Sequence, residues 1–211
     1  MAIEQRMTLL AILDDDESVR SAVRDLIESA GMSALCFDSA EKFLNSGAAR
    51  KAGCVIADIR MPGMSGLELQ AMLKTERCRI PIIFLTGAGD IPLAVSAMKK
   101  GASDFLTKPV AESVLLAAIE RALEKERYTR RKAAEEADLQ ARYRSLTRRE
   151  REVLPLLVGG LLNKQAGAEL GITEYTVQIH RGHIMRKMKA DSFATLVRMS
   201  EKLSPYNDSY S

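Results

Sequence analysis

Cys54-Val55-Ile56-Ala57-Asp58 is a short apolar run that ends in an acid and has no polar alternation inside it. A strand covered on one face alternates apolar with polar residues. A strand covered on both faces reads as an unbroken apolar run, as in a parallel sheet between two helical layers. Three more stretches follow the same plan. Met7–Leu13 ends in Asp14-Asp15-Asp16, Pro81-Ile82-Ile83-Phe84-Leu85 ends at Thr86, and Asp104-Phe105-Leu106 leads to Lys108 and Pro109. Between them apolar residues recur at helical spacing. Val19, Val23, Leu26, Ile27 and Ala30 precede Gly31; Leu67, Leu69, Met72 and Leu73 form a second set; Leu93, Ala94, Ala97 and Met98 precede Gly101. Five alternations predict an α/β doubly wound, five-stranded parallel sheet of the flavodoxin-like kind over residues 1–125.

From Val110 to Leu154 there is no Gly or Pro. Leu115, Leu116, Ile119, Ala122 and Leu123 keep a helical apolar period, and Glu124–Lys132 is then almost wholly charged. Opposite charges four apart (Glu126/Arg130, Arg131/Glu135, Lys132/Glu136, Asp138/Arg142) each support an exposed helix by a few tenths of a kcal/mol. The spacing predicts one helix over 111–143 that starts packed on the sheet and leaves as a spacer, about 50 Å long at 1.5 Å per residue. Two helices hinged near Tyr128 are the alternative. Thr147-Arg148-Arg149-Glu150 matches a capping box, and three or four short helices are expected, roughly at 147–158, 163–170, 173–188 and 192–203. The division is therefore 1–125, a helical linker over 126–144, an all-α domain over 145–205, and a loose tail over 206–211.

Charge differs between the halves. Residues 1–120 carry 13 Lys/Arg against 16 Asp/Glu, whereas 121–211 carry 18 against 12, so the C-terminal half is suited to a polyanion. No apolar run approaches the ~18 residues of a membrane helix. Met1–Thr8 has neither the basic start nor the apolar stretch of a signal peptide, so no membrane partner and a cytoplasmic location are expected. Cys36, Cys54 and Cys78 are odd in number and have no metal-ligand spacing; the plain reading is small buried apolar residues.

In doubly wound sheets ligands bind beyond the carboxyl ends of the strands. There this sequence places Asp14-Asp15-Asp16, Asp58, Thr86 and Lys108. Carboxylates gathered at one edge repel one another and call for a hard cation with oxygen ligands, for which Mg²⁺ is the natural choice. Asp58 is then a candidate carboxylate nucleophile toward a phosphoryl group, with the cation and Lys108 neutralising its equatorial oxygens. Asp16 and Glu17 have a plainer role as acids in the first turn of a helix.

Leu13-Asp14-Asp15-Asp16-Glu17, Ala57-Asp58-Ile59-Arg60-Met61-Pro62-Gly63-Met64-Ser65-Gly66, Leu85-Thr86-Gly87-Ala88-Gly89-Asp90 and Leu106-Thr107-Lys108-Pro109 resemble CheY-like receiver domains of response regulators, the FixJ type above all. The resemblance spans about residues 7–125. It implies that Asp58 accepts a phosphoryl group from a sensor histidine kinase. Asp15, Asp58 and the backbone carbonyl of Arg60 would hold Mg²⁺, with Asp14 acting through a water. Lys108 would contact the phosphoryl group, Thr86 would hydrogen-bond it and move inward, and Phe105 would rotate into the vacated space. The Lys108–Pro109 bond is expected to be cis. Following the family, phosphorylation would favour a homodimer through the 91–100 helix and the 103–107 strand, with Val95 and Lys99 on the dimer face.

Residues 146–200 resemble the LuxR/NarL-type helix-turn-helix, through Leu146-Thr147-Arg148-Arg149-Glu150-Arg151-Glu152-Val153-Leu154, Gly160-Leu161-Leu162-Asn163-Lys164-Gln165 and Leu170-Gly171-Ile172-Thr173-Glu174-Tyr175-Thr176-Val177. Gly171 supplies the turn, Thr173 caps the next helix, and Val177, Ile184 and Met188 line its buried side. The resemblance implies that this helix enters the major groove of double-stranded promoter DNA. Gln178, Ile179 and Gly182 would meet base edges, and Lys164, Thr173, Thr176, Arg181 and Arg186 would hold phosphates. RNA polymerase is a further expected partner. Gly182 offers no side chain to a base and weakens the helix, Gln165-Ala166-Gly167 loosens the preceding one, and Pro155 should kink the first. His180 and His183 have too few companions for zinc, which leaves packing or phosphate contact.

The sequence thus reads as a phosphorylation-gated transcriptional regulator rather than an enzyme, with catalysis limited to its own phosphotransfer and dephosphorylation. A constitutive DNA binder is the alternative. Asp14-x-Asp16 also resembles the nucleophile motif of haloacid-dehalogenase-type Mg²⁺ phosphatases, but that reading lacks a cap domain and leaves the helix-turn-helix unexplained.

Overall fold

Each apolar run feeds two cores at once. In a computed structural model describing residues 8–76, 78–87 and 91–207 (side chains of 91 and 204–207 excepted), the first strand β1 (Leu9–Leu13) sends Leu10 and Ile12 to one side of a sheet and Ala11 and Leu13 to the other. β3 (Cys54–Asp58) divides Cys54 and Ile56 from Val55 and Ala57, and β4 (Ile82–Thr86) divides Ile83 and Leu85 from Ile82 and Phe84. With both faces covered, polar alternation is excluded. β2 (Ser33–Phe37) and β5 (Asp104–Thr107) complete a parallel sheet in the order β2-β1-β3-β4-β5.

α1 (Glu17–Ser29) supplies Val23 and Ile27 to one core, and α5 (Glu112–Arg144) supplies Leu115, Ala118, Ile119, Ala122 and Leu123. On the other face α2 (Ala40–Ser46) contributes Phe43, α3 (Gly66–Thr75) Leu69 and Leu73, and α4 (Ile91–Lys99) Ala97. The chain divides into two units, Met1–Thr129 and Arg130–Ser211. α5 is a 33-residue helix, and its residues fall on both sides of that division. Among the described residues no helix is long and apolar enough to cross a membrane.

The second unit contains only helices among its described residues: α6 (Arg148–Val158), α7 (Asn163–Leu170), α8 (Glu174–Met188) and α9 (Phe193–Asn207). Val153, Leu154, Leu157, Ala166, Val177, Ile184, Met188 and Leu196 form its core, with Leu139 and Tyr143 of α5 packed against it. Thr147 and Glu150 close the capping box reciprocally. α6 runs on through Pro155.

Several expectations need correcting. β2 is not among the apolar runs singled out: its four consecutive apolar residues, Ala34-Leu35-Cys36-Phe37, lie at the sheet edge, where Leu35 and Cys36 are exposed. Cys36 is therefore not the buried residue expected, whereas Cys54 is, with burial pushing its thiol up to about 12. α9 continues to Asn207, past the start of the loose tail placed at 206. The N-terminal residues through Met7, Ala88-Gly89-Asp90 of the third motif, and residues 208–211 lie outside the described residues.

Gly167 does not loosen α7. A Cβ there would lie 2.7 Å from the Ile172 carbonyl oxygen and 3.5 Å from the Glu174 amide nitrogen, so its bareness lets α7 lie against the start of α8. At Gly182 a Cβ would meet no described atom within 4 Å. Thermal or urea unfolding should separate the two. Gly167→Ala loses about 1–3 kcal/mol through overpacking, and Gly182→Ala gains up to about 1 kcal/mol of helix propensity.

Candidate functional site

The sheet order reverses between β1 and β3, and the crevice at their carboxyl ends is where such a fold receives a ligand. β1 ends before Asp14 and Asp15, β3 ends at Asp58, β4 at Thr86, and Lys108 follows β5. The fold draws these together. Oxygens of Asp14, Asp15 and Asp58 lie within 4.8 Å of one another, a group that could hold a metal ion. Lys108 Nζ donates to Asp14 Oδ2 at 2.5 Å and to Asp58 Oδ2 at 2.7 Å. The other oxygen of Asp58 accepts from the Arg60 amide at 3.0 Å, and Asp14 Oδ1 accepts from the Asp16 amide at 3.0 Å. All donors in the cluster are hard oxygens, which suits Mg²⁺ or Ca²⁺ rather than a soft metal.

Burial sets the electrostatics. Asp14 is 2% exposed, and desolvation holds its carboxyl above the usual aspartate range despite the hydrogen bond from Lys108. Lys108 is raised, because its bonds to Asp14 and Asp58 outweigh the cost of burying the ammonium. Asp58 is partly buried and Asp15 exposed, so the cluster is open on one side. Gly66 sits so close behind Asp58 that a Cβ would approach the Asp58 carbonyl to 2.4 Å. Asp16 stands apart from the cluster in the plainer role expected of it, at the first turn of a helix. Its carboxylate caps α1, accepting from the Ser18 amide at 2.8 Å and the Ser18 hydroxyl at 2.6 Å.

Thr86 is 1% exposed at the end of β4, and its carbonyl accepts the Lys108 amide at 2.7 Å. Phe105 is partly buried against the core on the α2–α4 face. The Lys108–Pro109 bond is cis. Val95 is 48% exposed and Lys99 is exposed, both on α4. Two further side chains, not among the sequence candidates, hold backbone groups near the cluster, Arg20 from six residues away and Glu41 from 23. Arg20 Nη1 donates to the Asp14 carbonyl at 2.7 Å, and Glu41 Oε1 accepts the Met64 amide at 2.8 Å in the loop after Asp58.

In the second unit α8 buries Val177, Ile184 and Met188 and turns Gln178, Ile179, Gly182 and Arg186 outward. Tyr175, 71% exposed and one turn before Ile179, extends that face and was not among the sequence candidates. Lys164 is exposed on α7. Thr173 and Thr176 are engaged with each other in the α8 cap, hydroxyl to hydroxyl at 2.8 Å and Thr176 amide to Thr173 hydroxyl at 3.1 Å. Arg181, partly buried, lies over the Phe193 ring at 4.6 Å, so its planar group packs on α9. His183 Nδ1 stands 3.7 Å from Glu150, and His180 is partly buried.

Glu150 anchors α8. Its carboxylate, 2% exposed, accepts from Lys187 Nζ at 2.7 Å and from the Thr147 amide at 2.7 Å. Burial alone would raise this acid; the bonds from Lys187 and the Thr147 cap outweigh it and hold the carboxyl below the usual range. Folding therefore favours the ionised form. That stability is complete above the ordinary glutamate range and is lost as pH falls through the lowered folded value. Glu150→Gln should cost about 1–3 kcal/mol at pH 7, and the gap to wild type should close on acidification in pH-dependent melts.

Comparison with known proteins bears on both halves. A profile described as "Response regulator receiver domain" matches residues 10–120, and one described as "Bacterial regulatory proteins, luxR family" matches residues 144–200. The response regulator protein TodT of Pseudomonas putida is 48% identical over 95% of this chain and 88% of its own. The transcriptional regulatory protein FixJ of Bradyrhizobium diazoefficiens is 40% identical over 93% of this chain and 96% of its own. The solved structure of the response regulator StyR superposes with a TM-score of 0.88 at 45% identity, covering 93% of this chain and 99% of that one. With the sheet, its acidic crevice and the helical second unit, these matches mean that the chain belongs to the response regulators that join a receiver domain to a LuxR-type DNA-binding domain.

Proposed function

We propose that the chain is a phosphorylation-gated transcriptional regulator in which Asp58 takes a phosphoryl group from a sensor histidine kinase. The observation that carries this reading is the bond of one ammonium, Lys108 Nζ, to both Asp14 and Asp58. It leaves a partly exposed carboxylate held by a backbone amide on one side and a cation on the other. One Asp58 oxygen attacks phosphorus, the bond from phosphorus to the kinase imidazole nitrogen breaks, and that nitrogen keeps the electron pair. Lys108 then pairs with the phosphoryl oxygens instead of Asp14. Asp15, Asp58 and the Arg60 carbonyl are the groups that would hold Mg²⁺, with Asp14 through a water, and Mg²⁺ when bound supplies charge neutralisation for the transferred group. Thr86 and Phe105 are the switch residues, and the protein turns over no other substrate.

The functional division follows 1–125 for the receiver, 126–144 for the linker and 145–205 for the DNA-binding domain. Phosphorylation shifts the receiver toward a form that pairs through the face bearing Val95 and Lys99. Pairing doubles the reading heads, which raises affinity for a two-fold promoter site through effective concentration. Gln178 and Ile179 meet base edges, joined by Tyr175, while Gly182, the third position toward the bases, brings only backbone there; Lys164, Thr173, Thr176, Arg181 and Arg186 lie along phosphates. RNA polymerase is the downstream partner, and the cytoplasm is where these partners meet.

Genomic DNA capture by the full-length protein, with and without a small acyl-phosphate donor and Mg²⁺, tests the gate. Wild type should enrich a few sites only when phosphorylated, and Asp58→Asn should take up no phosphoryl group and enrich none. Equal enrichment in every condition would leave a constitutive DNA binder. A second measurement tests the reading face. Ile179 and Tyr175 present apolar surface where a thymine methyl would sit, so replacing a contacted thymine with uracil should weaken binding about fourfold, the worth of one buried methyl at about 0.8 kcal/mol. Unchanged affinity for every uracil-substituted site would remove the methyl contact.

A further inference from the structure

Seven residues, 59–65, join β3 to α3 immediately after Asp58. Part of this loop is held locally. The Arg60 amide bonds Asp58 Oδ1, the Gly66 amide bonds the Ile59 carbonyl at 3.0 Å, and Ser65 is boxed with Glu68. Its middle is held from elsewhere. Glu41, in the first turn of α2, accepts the Met64 amide at 2.8 Å across 23 residues of sequence. Gly63 makes that approach possible. Its φ is +78°, and a Cβ there would stand 2.7 Å from Glu41 Oε1. Met61 and Met64 on either side pack into the α2–α4 face core, so the loop is pinned beneath as well as across.

We propose that Glu41 is a positioning residue for phosphoryl acceptance. Its carboxylate fixes the 59–65 loop so that the Arg60 carbonyl and the Asp58 side chain keep the spacing needed to bind a divalent cation. The inference rests on the reading of Asp58 as phosphoacceptor and adds a residue that touches neither the cation nor the phosphoryl group. A backbone carbonyl is a useful ligand only if its peptide plane is held, because a loop free to rotate must be ordered again each time the cation arrives. Glu41 meets that ordering cost beforehand. The bond requires an acceptor oxygen and no net charge, and glutamine also supplies such an oxygen.

The full-length wild type, Glu41→Ala and Glu41→Gln should be compared by three readouts: Mg²⁺ binding by calorimetry, amide hydrogen exchange at Met64, and phosphorylation by a small acyl phosphate over a range of Mg²⁺ concentrations. Glu41→Ala should raise the Mg²⁺ dissociation constant about tenfold, the low end of what outer-shell partners cost. It should also speed exchange at Met64 while leaving the phosphorylation rate at saturating Mg²⁺ within about twofold of wild type, as lost ground-state positioning requires. Glu41→Gln should restore both Mg²⁺ affinity and Met64 protection. Wild-type Mg²⁺ affinity in Glu41→Ala, even with a lower melting temperature, would overturn the proposal and reduce Glu41 to a tie for α2. Glu41→Gln as impaired as Glu41→Ala would overturn it too, because charge and not the acceptor would then matter. A wild type that neither binds Mg²⁺ nor takes up phosphoryl would instead overturn the reading of Asp58, a failure visible before any variant is compared.

Discussion

Three carboxylates held within 4.8 Å of one another repel by about 3 kcal/mol for each ionised pair at an effective dielectric near 20. A chain free to relax would move them apart. Here it cannot, because Asp14 follows a strand whose core residues are fully covered and Asp58 ends the strand hydrogen-bonded beside it. The strain is relieved by Lys108, delivered from the far side of β4, whose ammonium reaches both Asp14 and Asp58. Neighbouring features follow from that arrangement: the buried position of Asp14, the bare Gly66 behind Asp58, and the openness of the cluster toward Asp15. The packed sheet holds the charges close, and their closeness makes the crevice receptive to a cation and an incoming phosphoryl group.

The second unit uses the same device in a milder form. Glu150 caps α6 and also binds Lys187 of α8, so one buried carboxylate fixes the angle between the scaffold and the outward-facing helix. Gly167 brings α7 against the start of α8, and Arg181 stacks on Phe193 of α9. The outer face of α8 is left with little to do internally. Gln178, Ile179, Gly182 and Arg186 are exposed without a core role, as a surface kept for a partner requires.

Much of this was legible in the chain alone, for definite reasons. Strands buried on two faces leave unbroken apolar runs, and all four predicted runs agree with strands β1, β3, β4 and β5 to within two residues at each end. Helix ends are announced by Thr147, Gly171 and Thr173 because caps depend on local chemistry. β2 was not singled out, although Ala34-Leu35-Cys36-Phe37 is a run as long as that of β3; its place at the sheet edge, which leaves Leu35 and Cys36 exposed, is a property of the tertiary structure. Cys36 was taken as buried because free cysteines commonly are, and the edge position of β2 leaves it exposed. Gly167 was misread because a sequence shows what a glycine costs a helix but not what would collide with its missing side chain.

The sequence by itself determined the order of elements, the α/β and all-α halves, and which residue types stand at strand ends, since periodicity, capping and composition are local properties. Only the tertiary structure decided which of those residues meet. Lys108 and Asp14 are 94 residues apart, Lys187 and Glu150 37, Glu41 and Met64 23. Contacts of that range depend on strand order, on the register of neighbouring strands, and on how closely one backbone can approach another. These are set when the two faces of the sheet and the core of the helical unit pack together, and no window of sequence contains them.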